Sequence, residues 1–278
     1  MIVKNKILLL ILVLFVNVAF AAKPKIVTSI TPIASIISMM TEGAAEVVAI
    51  DASAGCPHHY QMRPSDKDKV INSKMLVYID DSFDGFAGRL FTNFGGKIVK
   101  LSELKSINFL DENGQKNWHF WLDLKNILAL HAELSEILLK EFPELEYNIL
   151  ASQNKIKAKI TSLMQLKENE LKSVGELVIL SDSLAHFFTD ADAQIIKLYQ
   201  KSNSSLKDLE NLEYVLNTDI AQCIVIDSAQ NLESYKKFNK NIIQLESENW
   251  ALSNDESSSW DLFCTKYLKM INQLQGCR

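Results

Sequence analysis

Residues 143–172 read PELEYNILASQNKIKAKITSLMQLKENELK, a stretch with no glycine and no proline after its first residue. Its apolar residues recur at spacings of three, four and seven, which predicts one amphipathic helix about 30 residues and about 45 Å long. They are Leu145, Ile149, Ile156, Ile160, Leu163 and Leu166. Such a helix is too long for one small lobe, so it predicts a rigid connection between two lobes. The alternative is a helical hairpin within a single domain.

Short apolar runs rich in β-branched residues lie on both sides of this helix. Each is nearly continuous, as in strands buried on both faces of a parallel sheet. They cover Lys25–Ile30, Glu46–Ile50, Met75–Ile79, Lys97–Leu101, Glu176–Leu180, Cys223–Ile226 and Asn241–Leu245. Helical patterns alternate with them, as at Pro32–Met40, where Thr31 is the expected N-cap. The pattern predicts an α/β protein with two parallel-sheet lobes.

The predicted division of the chain follows from these elements. Residues 22–142 form an N-terminal α/β lobe, 143–173 the connecting helix and 174–278 a C-terminal α/β lobe. Residues 1–21 are different. Lys4 and Lys6 precede an apolar run that ends in Ala19-Phe20-Ala21, the layout of a cleavable signal peptide. The apolar run is shorter than the roughly 20 residues that a spanning helix needs. Export is therefore expected.

Composition excludes some classes of function. The 278-residue chain has a formal charge of −5, and without Lys4 and Lys6 that charge becomes −7. An acidic protein without a basic cluster is a poor nucleic-acid binder. Four cysteines in an exported chain make disulfide pairing plausible, but spacing alone leaves all three full pairings open.

The histidines indicate where the chemistry lies. Open α/β sheets bind ligands beyond the carboxyl ends of their strands. Four of the five histidines fall in loops after predicted strands, namely His58, His59, His119 and His186. Glu246 follows the last strand, whereas His131 lies in a helical segment and is expected to be structural or solvated. Imidazoles with a carboxylate suit zinc, and also manganese or iron.

Two histidine-containing segments carry recognisable motifs. Residues Gly55–Asp66, GCPHHYQMRPSD, are similar to G-x-x-P-H-x-Y-x-x-x-P-S-D, with the glycine one residue closer to the proline. Residues Trp118–Asp123, WHFWLD, are similar to D-P-H-x-W-L-[ST]-P without the D-P. Both motifs resemble those of the zinc/manganese-type solute-binding proteins of ABC importers. The long helix resembles the one that joins the two lobes in this family. The resemblance covers the mature chain and implies that His58 and His119 are metal ligands.

The C-terminal half departs from the family pattern. In the segment Ser181–Phe187, Ser181 stands where the resemblance expects a metal-binding histidine. His186, five residues later, is the predicted replacement, and Asp182 is the alternative. The family's last ligand is an acid in an L-D-P segment, which the resemblance places at Glu246, with Glu248 as a nearby substitute.

The resemblance also implies a disulfide and a mode of action. Zinc-uptake members often carry a C-lobe bridge, and Cys223 and Cys277 match its positions. Cys56 is expected to be a buried free thiol or a thiolate ligand, and Cys264 a core residue. The implied function is a periplasmic, monomeric receptor that holds Zn²⁺ between two lobes and delivers it to an ABC-transporter permease.

Three alternatives stay open at this point. A receptor for Mn²⁺ or Fe²⁺ in the same family would use fewer imidazoles and more carboxylates. A secreted zinc hydrolase would need a catalytic motif such as H-E-x-x-H, which the sequence lacks. A metal-binding adhesin would be favoured by repeats or an anchor, and neither is found. We therefore expect a binding protein and not an enzyme.

Overall fold

Two four-stranded parallel sheets with the same strand order form the framework of the protein. The structure is a computed structural model, and it describes residues 22–51, 60–91, 94–189, 191, 195–199, 205–218, 220–250 and 261–278. The first sheet has the order β2-β1-β3-β4 and the second the order β6-β5-β7-β8. The strands are β1 Lys25–Ile30, β2 Glu46–Asp51, β3 Met75–Tyr78, β4 Lys97–Lys100, β5 Leu177–Ile179, β6 Ile195–Lys197, β7 Cys223–Asp227 and β8 Asn241–Leu245.

Seven α-helices accompany these strands in the described part of the chain. They are α1 Thr31–Met40, α2 Pro64–Val70, α3 Asp81–Phe91, α4 Leu124–Glu141, α5 Glu146–Ser173, α6 Leu206–Asn217 and α7 Leu262–Gln273. None of the helices in the described residues is long and apolar enough to span a lipid bilayer. The two parallel sheets and the long helix between them confirm the predicted α/β, two-lobed architecture.

Helix α5 connects the two sheets, as the opening stretch predicts. A short 3₁₀ turn at Pro143–Leu145 precedes it, because proline fits the first turn of a helix. The apolar positions Ile149, Ile156 and Ile160 are fully buried, whereas Leu166, which was predicted on the same face, is 45% exposed. Helix α5 packs against α1, α4 and α7, so it contacts elements of both halves. The two lobes are therefore connected by packing against the same helix.

The sequence prediction was incomplete at two places in the fold. Strand β6, Ile195–Lys197, was not predicted, because its three residues form too short a run to give a periodic signal. Thr31 was expected to cap α1, but the helix begins at Thr31 itself and Ile30 occupies the N-cap position without a side-chain bond. The Thr31 hydroxyl contacts the C-terminal half of the chain instead.

A disulfide fastens the C-terminus to the second sheet. Cys223, at the start of β7, is bonded to Cys277, 54 residues later in the chain. This confirms the predicted pair. Cys264 is free and buried, as expected for a core residue, and it contacts the sulfur of Met39. Residues 1–21, where a signal peptide is predicted, lie outside the described residues, as do Cys56, His58 and His59.

Candidate metal centre

A cavity of about 490 Å³ lies where the carboxyl ends of the two sheets meet. Both halves of the chain line it. His119 comes from the segment after β4, and Ser181 and Asp182 follow β5. Asp227 ends β7, and Glu248 follows β8. The cavity therefore collects carboxylates and an imidazole at the position where open α/β sheets place their ligands.

The imidazole of His119 is fixed from several sides. Asn117 Oδ1 accepts a hydrogen bond from the His119 backbone N–H at 3.0 Å and another from ring Nδ1 at 3.0 Å. The rings of Phe83 and Trp121 lie 5.6 and 5.1 Å from the His119 ring, centroid to centroid. Because Nδ1 donates to Asn117, Nε2 is the atom that His119 presents to a ligand.

The carboxylate of Glu248 faces this nitrogen. His119 Nε2 lies 2.9 Å from Glu248 Oε1, and the two side chains are 13% and 14% exposed. This distance is within the range of a hydrogen bond. Both side chains are thus largely shielded from water while remaining at the wall of the cavity. One imidazole and one carboxylate from opposite halves of the chain meet at a single point.

His186 lies close to this pair, but its ring makes a hydrogen bond to the backbone and does not take the ligand position that was predicted for it. It lies on a 3₁₀ helix, Asp182–Phe188, and is 1% exposed. Its Nε2 donates to the backbone carbonyl of Asn117 at 3.2 Å. Burial lowers the pKa of His186, so the ring is neutral. His186 therefore contacts the residue that orients His119, and it is not among the described residues that line the cavity.

Glu246 also has other partners. Its carboxylate accepts hydrogen bonds from the backbone N–H groups of Glu248 and Asn249, and from the hydroxyl of Ser228. These bonds shape the turn after β8, a common role for an acid that follows a strand. Glu248 lines the cavity, and its carboxylate contacts His119. From the sequence, Glu248 was expected only as a substitute for Glu246.

The remaining predicted ligands are not brought together in the described structure. Within the residues that it covers, no three His, Cys, Asp or Glu side chains are close enough to form a metal-binding group. His58 lies outside the described residues. His131 is buried on α4 with an unpartnered Nε2, in keeping with the structural role expected of it. His119 and Glu248 are thus the two candidate ligands in contact.

Sequence reasoning did not identify Asn117. Its Oδ1 orients His119, while its Nδ2 donates to the backbone carbonyl of Asp182 at 2.7 Å, across the lobes. These definite donors and acceptors fix which end of the amide is oxygen. Asn117 stands where the family motif has the aspartate of D-P-H. The sequence did contain a signal for this role, because Asn117 lies two residues before His119 and an amide side chain can hydrogen-bond to an imidazole ligand.

Comparison with known proteins gives a consistent assignment. The family model described as ZnuA, zinc-uptake complex component A, periplasmic, matches residues 26–275. The chain is 36% identical over 266 residues to the uncharacterized protein RP014 of Rickettsia prowazekii (strain Madrid E), covering 95% of this chain and 87% of that one. It is 20% identical over 212 residues to the high-affinity zinc uptake system protein ZnuA of Haemophilus ducreyi, covering 66% of each chain.

Solved structures share the fold. The periplasmic zinc-binding protein TroA from Treponema pallidum superposes with a TM-score of 0.68 at 17% identity, covering 92% of this chain and 99% of that one. Zn(II)-bound AdcA from Streptococcus pneumoniae gives a TM-score of 0.71 at 15% identity, covering 92% of this chain and 58% of that one. The matching family is described as a component of a zinc-uptake complex, which is a transport role, so the expectation that the chain is not an enzyme is confirmed. The match over residues 26–275 places the chain in the ZnuA family of periplasmic zinc-uptake components.

Proposed function

We propose that the protein is an exported receptor that captures Zn²⁺ between its two lobes and delivers it to an ABC-transporter permease. The observation that carries the proposal is the contact between His119 Nε2 and Glu248 Oε1 at 2.9 Å. Two ligands of the types that zinc prefers meet there, one from each half of the chain. A metal held by both would also hold the two lobes together.

The spacing of the pair suits a metal with little rearrangement. Zinc binds imidazole nitrogen at about 2.0–2.1 Å and carboxylate oxygen at about 2.0–2.2 Å, which puts the two ligand atoms about 3.4 Å apart in a tetrahedral site. His119 Nε2 and Glu248 Oε1 therefore need to separate by only about half an ångström. The bond from Asn117 to Nδ1 holds the ring in the required orientation during this change.

The proposed ligand set combines this pair with the predicted His58. Glu246 and His186, which the sequence also predicted as ligands, are disfavoured by their present partners. Glu246 would have to give up hydrogen bonds within its own turn, and His186 would have to leave the Asn117 carbonyl. Asp182, at the wall of the cavity, is the candidate for a further carboxylate ligand.

Zinc is preferred to manganese for two reasons. Relatives of this chain are named as zinc-uptake proteins, and the resemblance associates a bridge such as Cys223–Cys277 with zinc-uptake members. Manganese is the second candidate, because four carboxylates line the same cavity as His119: Asp111, Asp182, Asp227 and Glu248. A site rich in carboxylates and poor in imidazole suits Mn²⁺ better than Zn²⁺.

The cellular setting follows from the proposed function. A signal peptide at residues 1–21 would direct the protein to the periplasm, where the mature chain would act as a monomer. The division into an N-terminal lobe (22–142), a connecting helix (143–173) and a C-terminal lobe (174–278) belongs to the same proposal. Since α5 packs against elements of both halves, capture would involve local loop movement more than a large hinge.

Competitive titration tests the metal. Purified protein is titrated with Zn²⁺ and then Mn²⁺ against a chromophoric chelator, alongside His119→Ala and the control His131→Gln. We expect one tightly bound Zn²⁺, weaker Mn²⁺, a large loss in His119→Ala and little change in the control, since His131 is not among the described cavity residues. Tighter binding of Mn²⁺ would favour the second candidate, and no stoichiometric metal would reject both.

A separate experiment addresses delivery. Cells that carry the permease but lack this receptor are supplied with the wild-type gene or with the His119→Ala variant, and growth is followed in zinc-depleted medium. Wild type should restore growth and the variant should not, at equal amounts of exported protein. Failure of the wild type to restore growth would reject zinc delivery by this protein, and equal restoration by both would reject the role of His119 in it.

A further inference from the structure

The backbone around Glu248 is held by side chains of the N-terminal half of the chain. Thr31 Oγ1 donates to the Glu248 carbonyl at 3.2 Å and accepts from the Trp250 N–H at 2.8 Å. Trp121 Nε1 donates to the Ser247 carbonyl at 2.8 Å. Three backbone groups of residues 247–250 are thus hydrogen-bonded by side chains of the opposite lobe, which are more than 120 residues away in sequence.

The C-terminal lobe holds the same segment from the other side. The Ser247 N–H donates to Asp227 at 3.3 Å, and the Trp250 indole N–H donates to the Glu246 carbonyl at 2.9 Å. Trp250 is 1% exposed and packs on Phe263 of α7. The segment that carries Glu248 is therefore a bridge between the lobes, and its position depends on bonds from both.

Both hydrogen bonds of the Thr31 hydroxyl are made to this bridging segment. The residue is the first of α1, directly after β1, and is 8% exposed. A hydroxyl at a helix start ordinarily caps that helix, but here the helix has no side-chain cap. Its O–H donates to the carbonyl of Glu248, and its oxygen accepts from the N–H of Trp250. Without the hydroxyl, a part-buried carbonyl and a buried N–H would lose these partners.

We propose that Thr31 is a positioning residue of the metal site, which acts through the backbone of Glu248 to set the carboxylate against His119. The proposal rests on the proposed metal-binding function. Thr31 does not touch the carboxylate; it holds the backbone directly after it, through the Glu248 carbonyl and the Trp250 N–H. Loss of the two bonds lets the turn shift, so the 2.9 Å approach of Glu248 Oε1 to His119 Nε2 is no longer held. Groups that orient a ligand in this way govern metal affinity by about 10- to 100-fold.

The test compares Thr31→Val with Thr31→Ser. Valine keeps the shape of threonine without a hydroxyl, and serine keeps the hydroxyl. Zn²⁺ affinity is measured by chelator competition, and the visible spectrum of the Co²⁺-loaded protein reports the geometry of the site. Thr31→Val should bind Zn²⁺ about 10- to 100-fold more weakly with an altered Co²⁺ spectrum. Thr31→Ser should retain the wild-type affinity and spectrum.

The outcomes separate the two proposals. Wild-type protein that fails to bind Zn²⁺ or Co²⁺ rejects the proposed function. Wild-type binding together with unchanged affinity and spectrum in Thr31→Val, even at a lower melting temperature, rejects the role of Thr31 and leaves only a structural one. If Thr31→Val does not fold, Thr31→Ala is measured in the same way, with Thr31→Ser still as the rescue.

Discussion

His119 Nε2 and Glu248 Oε1 lie 2.9 Å apart although 129 residues separate them in the chain. The ring nitrogen Nδ1 of His119 donates to Asn117 Oδ1, so Nε2 is the ring atom that faces Glu248. A divalent metal bound between the lobes would use the same two atoms, one from each half of the chain.

His186 should affect zinc affinity indirectly. Its Nε2 donates to the Asn117 carbonyl, and Asn117 in turn orients His119. Replacement of His186 by Ala should weaken Zn²⁺ binding by about 10-fold, the lower range for residues that support a ligand. The loss should be smaller than in His119→Ala, and His186→Gln, which keeps a donor, should recover part of it. Equal losses in His186→Ala and His119→Ala would instead make His186 a ligand, as the sequence predicted.

The Cys223–Cys277 bridge should stabilise the C-terminal lobe. It closes a loop of 54 residues, and loss of a bridge of that span costs about 4 kcal/mol of unfolding free energy. Chemical denaturation of the wild type and of Cys223→Ala measures the cost. The double variant Cys223→Ala/Cys277→Ala serves as the control, because the second substitution should add little once the bridge is gone. A reductant should lower the stability of the wild type but not of the double variant; an unaffected wild type would contradict the prediction.

Asp84 should make stability depend on pH. Its carboxylate is fully buried and accepts hydrogen bonds from the backbone N–H groups of Ile79 and Asp80. Burial raises the pKa of Asp84 to about 6, whereas an unfolded chain has about 3.9. The folded state thus binds more protons between these two values, so this contribution to stability is present below about pH 4 and is lost as the pH rises through about 6.

The comparison with Asp84→Asn isolates that contribution, because asparagine does not titrate. Unfolding free energies of both proteins are measured from pH 4 to pH 8. The stability of the wild type relative to Asp84→Asn should fall between about pH 4 and pH 6 and then level off. A difference that stays constant over this range would show that Asp84 is ionised throughout.

The sequence predicted the fold well because the fold depends on local patterns. Strand β1 and strand β8 have the predicted bounds, and the long helix differs from prediction only in a first turn that is 3₁₀. Buried parallel strands and a 28-residue amphipathic helix leave strong periodic signals. A three-residue strand such as β6 leaves none, so it could be found only from its pairing with β5.

The site could be predicted only in part because its contacts join distant segments. His119 could be proposed as a ligand from the sequence because it follows a strand and stands within a recognisable motif. The choice between Glu246 and Glu248 depends on how a turn folds back on itself, and no residue pattern encodes that turn. Thr31 was expected to cap its helix, since local bonds are the default for threonine at such a position. Its partners, more than 200 residues away, became apparent only in three dimensions.

Competitive Zn²⁺ titration of the wild type, Glu248→Gln and Glu246→Gln tests most directly whether Glu248 is the carboxylate ligand of the proposed site. The two substitutions remove the same charge from the same turn, two residues apart, and both keep the shape of the side chain. We expect one Zn²⁺ per wild-type chain, a large loss of affinity in Glu248→Gln and a change of only a few-fold in Glu246→Gln. A large loss in Glu246→Gln with Glu248→Gln close to wild type would contradict this expectation.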